Sequence, residues 1–258
     1  MNSGIPRIDG KGDRTWPIRV FATLDSTNEA AKEAALGGDF GPCWYRAETQ
    51  TSGRGRQGRS WASPPGNLYA SALFSIHDGH DAVLSIPFVA ALAVAETTER
   101  LVPGSEPKLK WPNDVRLSGR KISGILAETG ACAGTIWVVV GIGINVTNVP
   151  DGIDQAATSV ASERGDGLID AAAAMEVLAA RFAERLSEAR AGFSAIRSAW
   201  LERADGLGGS IRVRAGQGDQ YETGVFEDMA EDGSLILRLP DGSRRPIRAG
   251  DVELVRRA

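Results

Sequence analysis

One short stretch concentrates the groups that could do chemistry: Gly53-Arg54-Gly55-Arg56-Gln57-Gly58-Arg59-Ser60-Trp61. Glycines without a Cβ let backbone N–H groups turn toward an anion, and arginines add forked, permanently charged donors. A segment of this kind is suited to wrapping a phosphate or a carboxylate. It also satisfies the dinucleotide pattern Gly53-x-Gly55-x-x-Gly58 and comes within one residue of a P-loop at Gly53-x4-Gly58-Arg59-Ser60. Both motifs require the glycines to open a helix whose N-terminus holds the phosphate. Trp61-Ala62-Ser63-Pro64-Pro65-Gly66 follows at once, and two prolines and a glycine stop such a helix within its first turn. Both matches are therefore excluded, and a Gly/Arg anion loop remains.

Other polar residues fall at expected strand ends and tight turns: Ser26-Thr27-Asn28, Gln50, Trp111-Pro112-Asn113-Asp114, Gly119-Arg120-Lys121 and Asn145. Each has an ordinary reading. Ser26 or Thr27 caps a helix, Lys121 is a solvated turn lysine, Trp61 is packing at a loop exit, and Asn145 opens a turn. Capping needs only one polar residue, however, and three in a row leave side chains over for a ligand. His77-Asp78-Gly79-His80-Asp81 holds both histidines of the chain. Four polar residues around a glycine read as an exposed turn in preference to a metal site.

The elements that must position these groups follow from periodicity. Arg19–Ala22, Cys43–Gln50 and Asn67–Ile76 read as strands, the last apolar on both faces and hence central. Helices are expected from Glu29 to Ala35, from Leu84 to Leu101, and through residues 168–204. A proline-broken strand at Leu109–Val115 leads through the Gly119 turn into Leu117–Glu128. Thr135–Val146 is the strongest strand of the chain, and Gly141 and Gly143 within it mark a close approach. After Asp205-Gly206 the chain changes to four or five short alternating strands separated by glycine turns, a small β-barrel. The reading is an α/β protein with a mobile tail at 1–15, a catalytic domain at 16–205 and a barrel at 206–258.

Composition excludes several classes. The formal net charge of −4 argues against a general nucleic-acid binder. The two cysteines, Cys43 and Cys132, are far apart and lack metal-ligand spacing, which favours a reducing compartment. No long apolar run or hydrophobic leader is present, so the cytoplasm is the expected location.

Taken in order, LDSTN, QTSGRGRQGRSW, GNLYAS, KWPNDV, GRKISGILAE and GIGIN resemble the biotin protein ligases, from about Arg19 to the C-terminus. The resemblance implies a mixed-sheet catalytic domain followed by an SH3-like barrel. It implies ATP and Mg²⁺ as requirements, biotin as substrate, and a biotin carboxyl carrier domain as acceptor. Some members carry an N-terminal DNA-binding domain; about eighteen residues precede the first strand here, so the monofunctional type, with no DNA partner, is expected. Members differ in dimerisation, and no decisive interface stripe is visible, which leaves a homodimer open.

The carried-over roles follow the motifs. Ser26, Thr27, Asn28 and Gln50 would bind the ureido ring, with Arg54, Gly55, Arg56 and Lys121 near the carboxylate. Trp111 and the Gly141–Gly143 strand would line the apolar tail. Arg54, Arg56 and Lys121 would screen the phosphates, Trp61 would lie on or near adenine, and Asn113 and Asn145 would contact the nucleotide. Asp114 would bind metal or orient Lys121. Lys121 and Arg56 are the expected catalytic residues, and the 53–65 loop is expected to close over the intermediate. An octanoyl or lipoyl ligase or transferase of the same superfamily is the nearest rival; an RNA-binding module is a distant one.

Overall fold

The computed structural model describes residues 16–76, 80–150, 156–165, 169–214 and 221–255; the N-terminal segment 1–15 lies outside them. The first part runs β1 (Ile18–Leu24), α1 (Thr27–Leu36), β2 (Cys43–Gln50), β3 (Leu68–Ile76), α2 (His80–Leu101), β4 (Lys108–Lys110), β5 (Asp114–Leu117), β6 (Arg120–Cys132) and β7 (Thr135–Ile144). Three helices follow: α3 (Val160–Arg164), α4 (Ala171–Ala189) and α5 (Phe193–Glu202). The seven strands form one mixed sheet in the order β1-β2-β3-β7-β6-β5-β4. Only β1 and β2 pair in parallel, joined by α1 as the crossover helix.

Alternation along the central strands divides the sheet into two faces. Leu68, Ala70, Ala72, Phe74 and Ile76 of β3 and Val138, Val140, Ile142 and Ile144 of β7 point into the large core under α2 and α4. That core closes on an aromatic cluster: Phe182 of α4 lies 5.3 Å from Trp44, 6.1 Å from Phe74 and 5.9 Å from Trp16 between ring centroids. The intervening residues face α1, where Leu73, Trp137 and Val139 meet Ala31, Ala35, Cys43 and Tyr45 in a smaller cluster.

Three local expectations change. Within the stretch expected as helical, the described residues 169–204 hold two helices, broken at Gly192, whose φ of 127° interrupts the helical path. Of the expected histidine turn, residues 77–79 lie outside the described residues, and His80 and Asp81 already belong to α2. The proline-broken strand is a hairpin, β4 and β5 pairing antiparallel across the cis Trp111–Pro112 turn.

The chain then forms β8 (Ser210–Arg214), β9 (Tyr221–Met229), β10 (Leu235–Arg238), β11 (Arg244–Ile247) and β12 (Asp251–Leu254). These make a five-stranded antiparallel, SH3-like sheet in the order β11-β10-β9-β8-β12. The two units share one core, since Ile211, Val213, Phe226 and Met229 join Phe88 and Trp200 in the same cluster. Linker pairing adds to it: Leu109 N–H donates to Arg203 O and Asp205 N–H to Leu109 O, both at 2.8 Å. No helix of the described residues is long and apolar enough to cross a membrane.

Candidate active site

On the α1 side of the sheet, beyond the small cluster, the strands turn polar and lose side chains. Gly141, Gly143 and Gly124 stand where Cβ atoms would otherwise project. A Cβ on Gly141 would strike Asn28 Oδ1; one on Gly143 would lie 2.5 Å from the Trp61 indole, and one on Gly124 2.8 Å from it. The glycine-bearing strand is therefore flat because α1 and the Gly/Arg loop lie directly on it. Beside them opens a cavity of about 650 Å³, a size suited to a small-molecule ligand. Its walls are the N-terminus of α1, the loop, the β4–β5 turn, Lys121, the glycine strand, and the ends of β8, β9 and β12 from the barrel.

The Ser26-Thr27-Asn28 corner divides its labour. Ser26 occupies the N-cap position of α1 without a side-chain cap bond, and it lines the cavity. Thr27 donates from N and Oγ1 to Gln50 Oε1 at 2.8 and 3.2 Å, while Gln50 Nε2 donates to Ser63 Oγ at 2.9 Å. Asn28 departs from expectation: it does not line the cavity. Its Nδ2 donates to Glu128 Oε2 at 2.7 Å, and its Oδ1 accepts from Ser71 Oγ at 2.6 Å. Asn28 thus ties α1 to β6 and β3, filling the space that Gly141 leaves. Burial pushes the Glu128 carboxyl up, but hydrogen bonds from Lys32 and Asn28 outweigh it and hold the group below the usual range.

The loop does not open a helix. Only a single turn, Arg56–Gly58, interrupts it, with Gln57 left-handed at φ 56°. Arg54 pairs with Ser60 as a bridge, Gly55 N–H donates to Arg59 O at 2.7 Å, and Trp61 N–H donates to Gly53 O at 2.9 Å. The segment is thus a miniature hairpin with Arg56 near its tip. Arg56 turns inward and donates to Asn113 Oδ1 at 3.1 Å, while Asn113 Nδ2 donates to Ile125 O at 2.9 Å. Burial pulls the Arg56 guanidinium below its ordinary range, against the neighbouring Asp251 and Asp114 carboxylates.

Lys121 is not a solvated turn lysine. Its Nζ lies 2.7 Å from Asp114 Oδ1, both side chains being 14% exposed. It also stands 5.3 Å from the centroid of the Trp61 ring. The backbone around Lys121 is held by Ala156 O and Thr158 N at 2.9 Å each. Asp114 therefore forms an ion pair with Lys121 at the cavity wall. No cluster of three His, Cys, Asp or Glu able to hold a metal occurs among the described residues.

Two expected ligand contacts have structural duties. Trp111 borders the cavity but is only 2% exposed, and its Nε1 donates to Gly233 O of the barrel at 3.1 Å, joining the two units. Asn145 borders it too, with Nδ2 donating to Thr158 O at 3.0 Å. Sequence reasoning missed Lys110, which sits within the KWPND motif and whose ammonium burial pushes down. It also missed the barrel's contribution from Arg214, Tyr221, Asp251 and Glu253, which lie in no motif.

The fold and the site together define an α/β protein with a cavity between a glycine-flattened sheet and an arginine-bearing hairpin. A model described as the biotin/lipoate A/B protein ligase family matches residues 20–145, and one described as the biotin protein ligase C terminal domain matches residues 206–255. A biotin–(acetyl-CoA-carboxylase) ligase of Paracoccus denitrificans is 38% identical over 240 residues, covering 90% of this chain and 98% of that protein. One of Mycobacterium tuberculosis is 32% identical over 257 residues, covering 95% and 92%. The biotin protein ligase of Aquifex aeolicus, solved in complex with biotin and ATP, superposes with a TM-score of 0.76 at 28% identity, covering 93% of this chain and 99% of that one. This chain belongs to the biotin protein ligase family.

Proposed function

We propose that the chain is an ATP-dependent biotin protein ligase. The observation that carries the reading is the convergence of Arg56, the Lys121–Asp114 pair and the Ser26–Gln50 corner on one cavity. In the first half-reaction a biotin carboxylate oxygen attacks the α-phosphorus of ATP. The bond to the β-phosphate bridge breaks, and biotinyl-5′-AMP and pyrophosphate form. Anion approaches anion in that step, so fixed cations lower its barrier. Arg56 and Lys121, which both line the cavity, would supply them, with Asp114 orienting the ammonium. Mg²⁺ enters with the triphosphate as part of the substrate, because Mg²⁺ commonly binds through phosphates, waters and one or two carboxylates.

In the second half-reaction a lysine amine of a biotin carboxyl carrier domain attacks the acyl carbon. AMP leaves, the amine loses a proton, and an amide remains. The neutral ureido ring, with donors and acceptors on opposite sides, suits the Ser26 hydroxyl and the Thr27–Gln50 pair. Trp61 offers a flat face for the adenylate beside Lys121. The octanoyl transferase reading lacks support: Cys43 is buried under α1 with its thiol pushed up by burial, and neither cysteine lines the cavity.

The test is labelled-biotin incorporation into a carrier domain with ATP and Mg²⁺, run beside Lys121→Ala. Wild type should label the acceptor. Lys121→Ala should lose about 10²–10³-fold in kcat, as removal of a transition-state donor does. Its stability should fall by more than an isolated turn lysine would cost, because Asp114 is left part-buried and unpaired. A wild-type enzyme that activates octanoate and leaves the biotin acceptor unlabelled overturns the reading.

A further inference from the structure

The three arginines of the lid are alike in sequence but not in surroundings. Arg56, near the hairpin tip, is half-buried and points into the cavity toward Asn113. Arg54 and Arg59 flank it with side chains 56% and 57% exposed, and each meets a carboxylate from a different element. Arg54 Nη1 lies 2.7 Å from Glu29 Oε1 in the first turn of α1. The same oxygen is 2.7 Å from Lys32 Nζ, which in turn is 2.8 Å from Glu128. Arg59 Nη2 lies 3.1 Å from Asp251 Oδ1 at the start of β12, and the other Asp251 oxygen meets Arg214 Nη2 at 3.1 Å.

We infer that Glu29 and Asp251 are positioning residues that latch the lid through Arg54 and Arg59, leaving Arg56 as the one arginine of the three set to clamp the ligand. The inference rests on the ligase reading for what the lid covers, but not for the latch itself. Two carboxylates on opposite flanks, one from α1 and one from the barrel, can hold the hairpin across the cavity mouth, and its backbone bonds keep the two arginines at a fixed separation. A carboxylate already neutralised by an arginine must be displaced before a phosphate can use that arginine. The barrel thereby takes part in retaining the intermediate, although Asp251 lies outside every motif that marks the site.

The test uses the full chain with Glu29→Gln, Asp251→Asn and the pair combined. In protein without added biotin or ATP, hydrogen exchange at the Gly55 and Trp61 amides should quicken about two- to five-fold for each single change, the range exposed ion pairs support, and more for the pair. Release of preformed biotinyl-AMP should quicken by a similar factor, and by more than KM for ATP rises. Asp251→Glu should restore both. Exchange and release both unchanged would overturn the latch. So would an ATP KM rising as steeply as in Arg56→Ala with release unchanged, since Arg54 and Arg59 would then be ligand clamps. If wild type forms no adenylate, the ligase reading fails, and the exchange measurement still decides the latch by itself.

Discussion

The two faces of the central sheet are built from the same strands and behave as different materials. Toward α2 and α4, β3 and β7 present Leu68, Phe74, Val138, Val140 and their neighbours, closed by Phe182 and two tryptophans. Toward α1 and the lid the same strands present Tyr69, Ser71, Gly141 and Gly143, and the space is filled by Asn28 and Trp61 from other elements. One face is held by volume and dispersion throughout, the other by a smaller apolar cluster and, around the cavity, by hydrogen bonds and close approach. The first tolerates little change of shape, while the second must leave room for a ligand. This protein thus keeps its larger core and its cavity on opposite sides of one sheet.

Substitutions on each face should separate accordingly, and the largest expected effect lies in the core. Phe182→Ala should lower stability by about 3–5 kcal/mol while leaving KM for biotin near wild type at temperatures where the protein is folded. Chemical denaturation beside steady-state kinetics checks both halves, and a biotin KM that collapses with stability would erase the contrast between faces. Asn28→Ala, on the other face, should cost about 1–3 kcal/mol, because Ser71 and Glu128 lose a buried partner. It should also raise KM for biotin more than it lowers kcat, since Ser71, which bonds both Asn28 and Thr27, loses one of its two partners.

The smallest effect is alkaline. Tyr69 Oη donates to Pro64 O at 2.7 Å and so anchors the exit of the Gly/Arg loop. Burial of the phenol, against a weaker opposing influence of the Asn67 side chain, pushes it up to about 12. Because the folded value is raised above the ordinary value near 10, the contribution is complete below about pH 10 and is lost as pH climbs toward 12. A stability-against-pH series should show this loss in wild type, and Tyr69→Phe should flatten it over the same window.

Much of this division could be read from the chain before any coordinates. The near-continuous apolar run of β3 announced a central strand, and the glycines of β7 announced a close approach. The prolines after Trp61 announced a loop and not a phosphate-binding helix. Harder to read was which partner each polar residue would choose. Asn28 and Ser26 sit two residues apart in one motif, yet one is consumed by Glu128 and Ser71 while the other faces the cavity. Helix rotation sets that choice, and local spacing does not encode it. Trp111 followed the same pattern, since its partner Gly233 lies 122 residues away in the barrel.

The sequence by itself determined most of the elements, the non-helical course of the Gly/Arg loop and the family, because these rest on local periodicity, turn chemistry and ordered short motifs. Tertiary structure alone decided that Lys121 is paired with Asp114, that Asn28 bonds to Glu128 and Ser71, and that two of the three loop arginines meet carboxylates while one points inward. The physical reason is the same in each case. A charged or polar side chain takes its role from whatever partner lies within about 3 Å, and those partners come from elements distant in the chain.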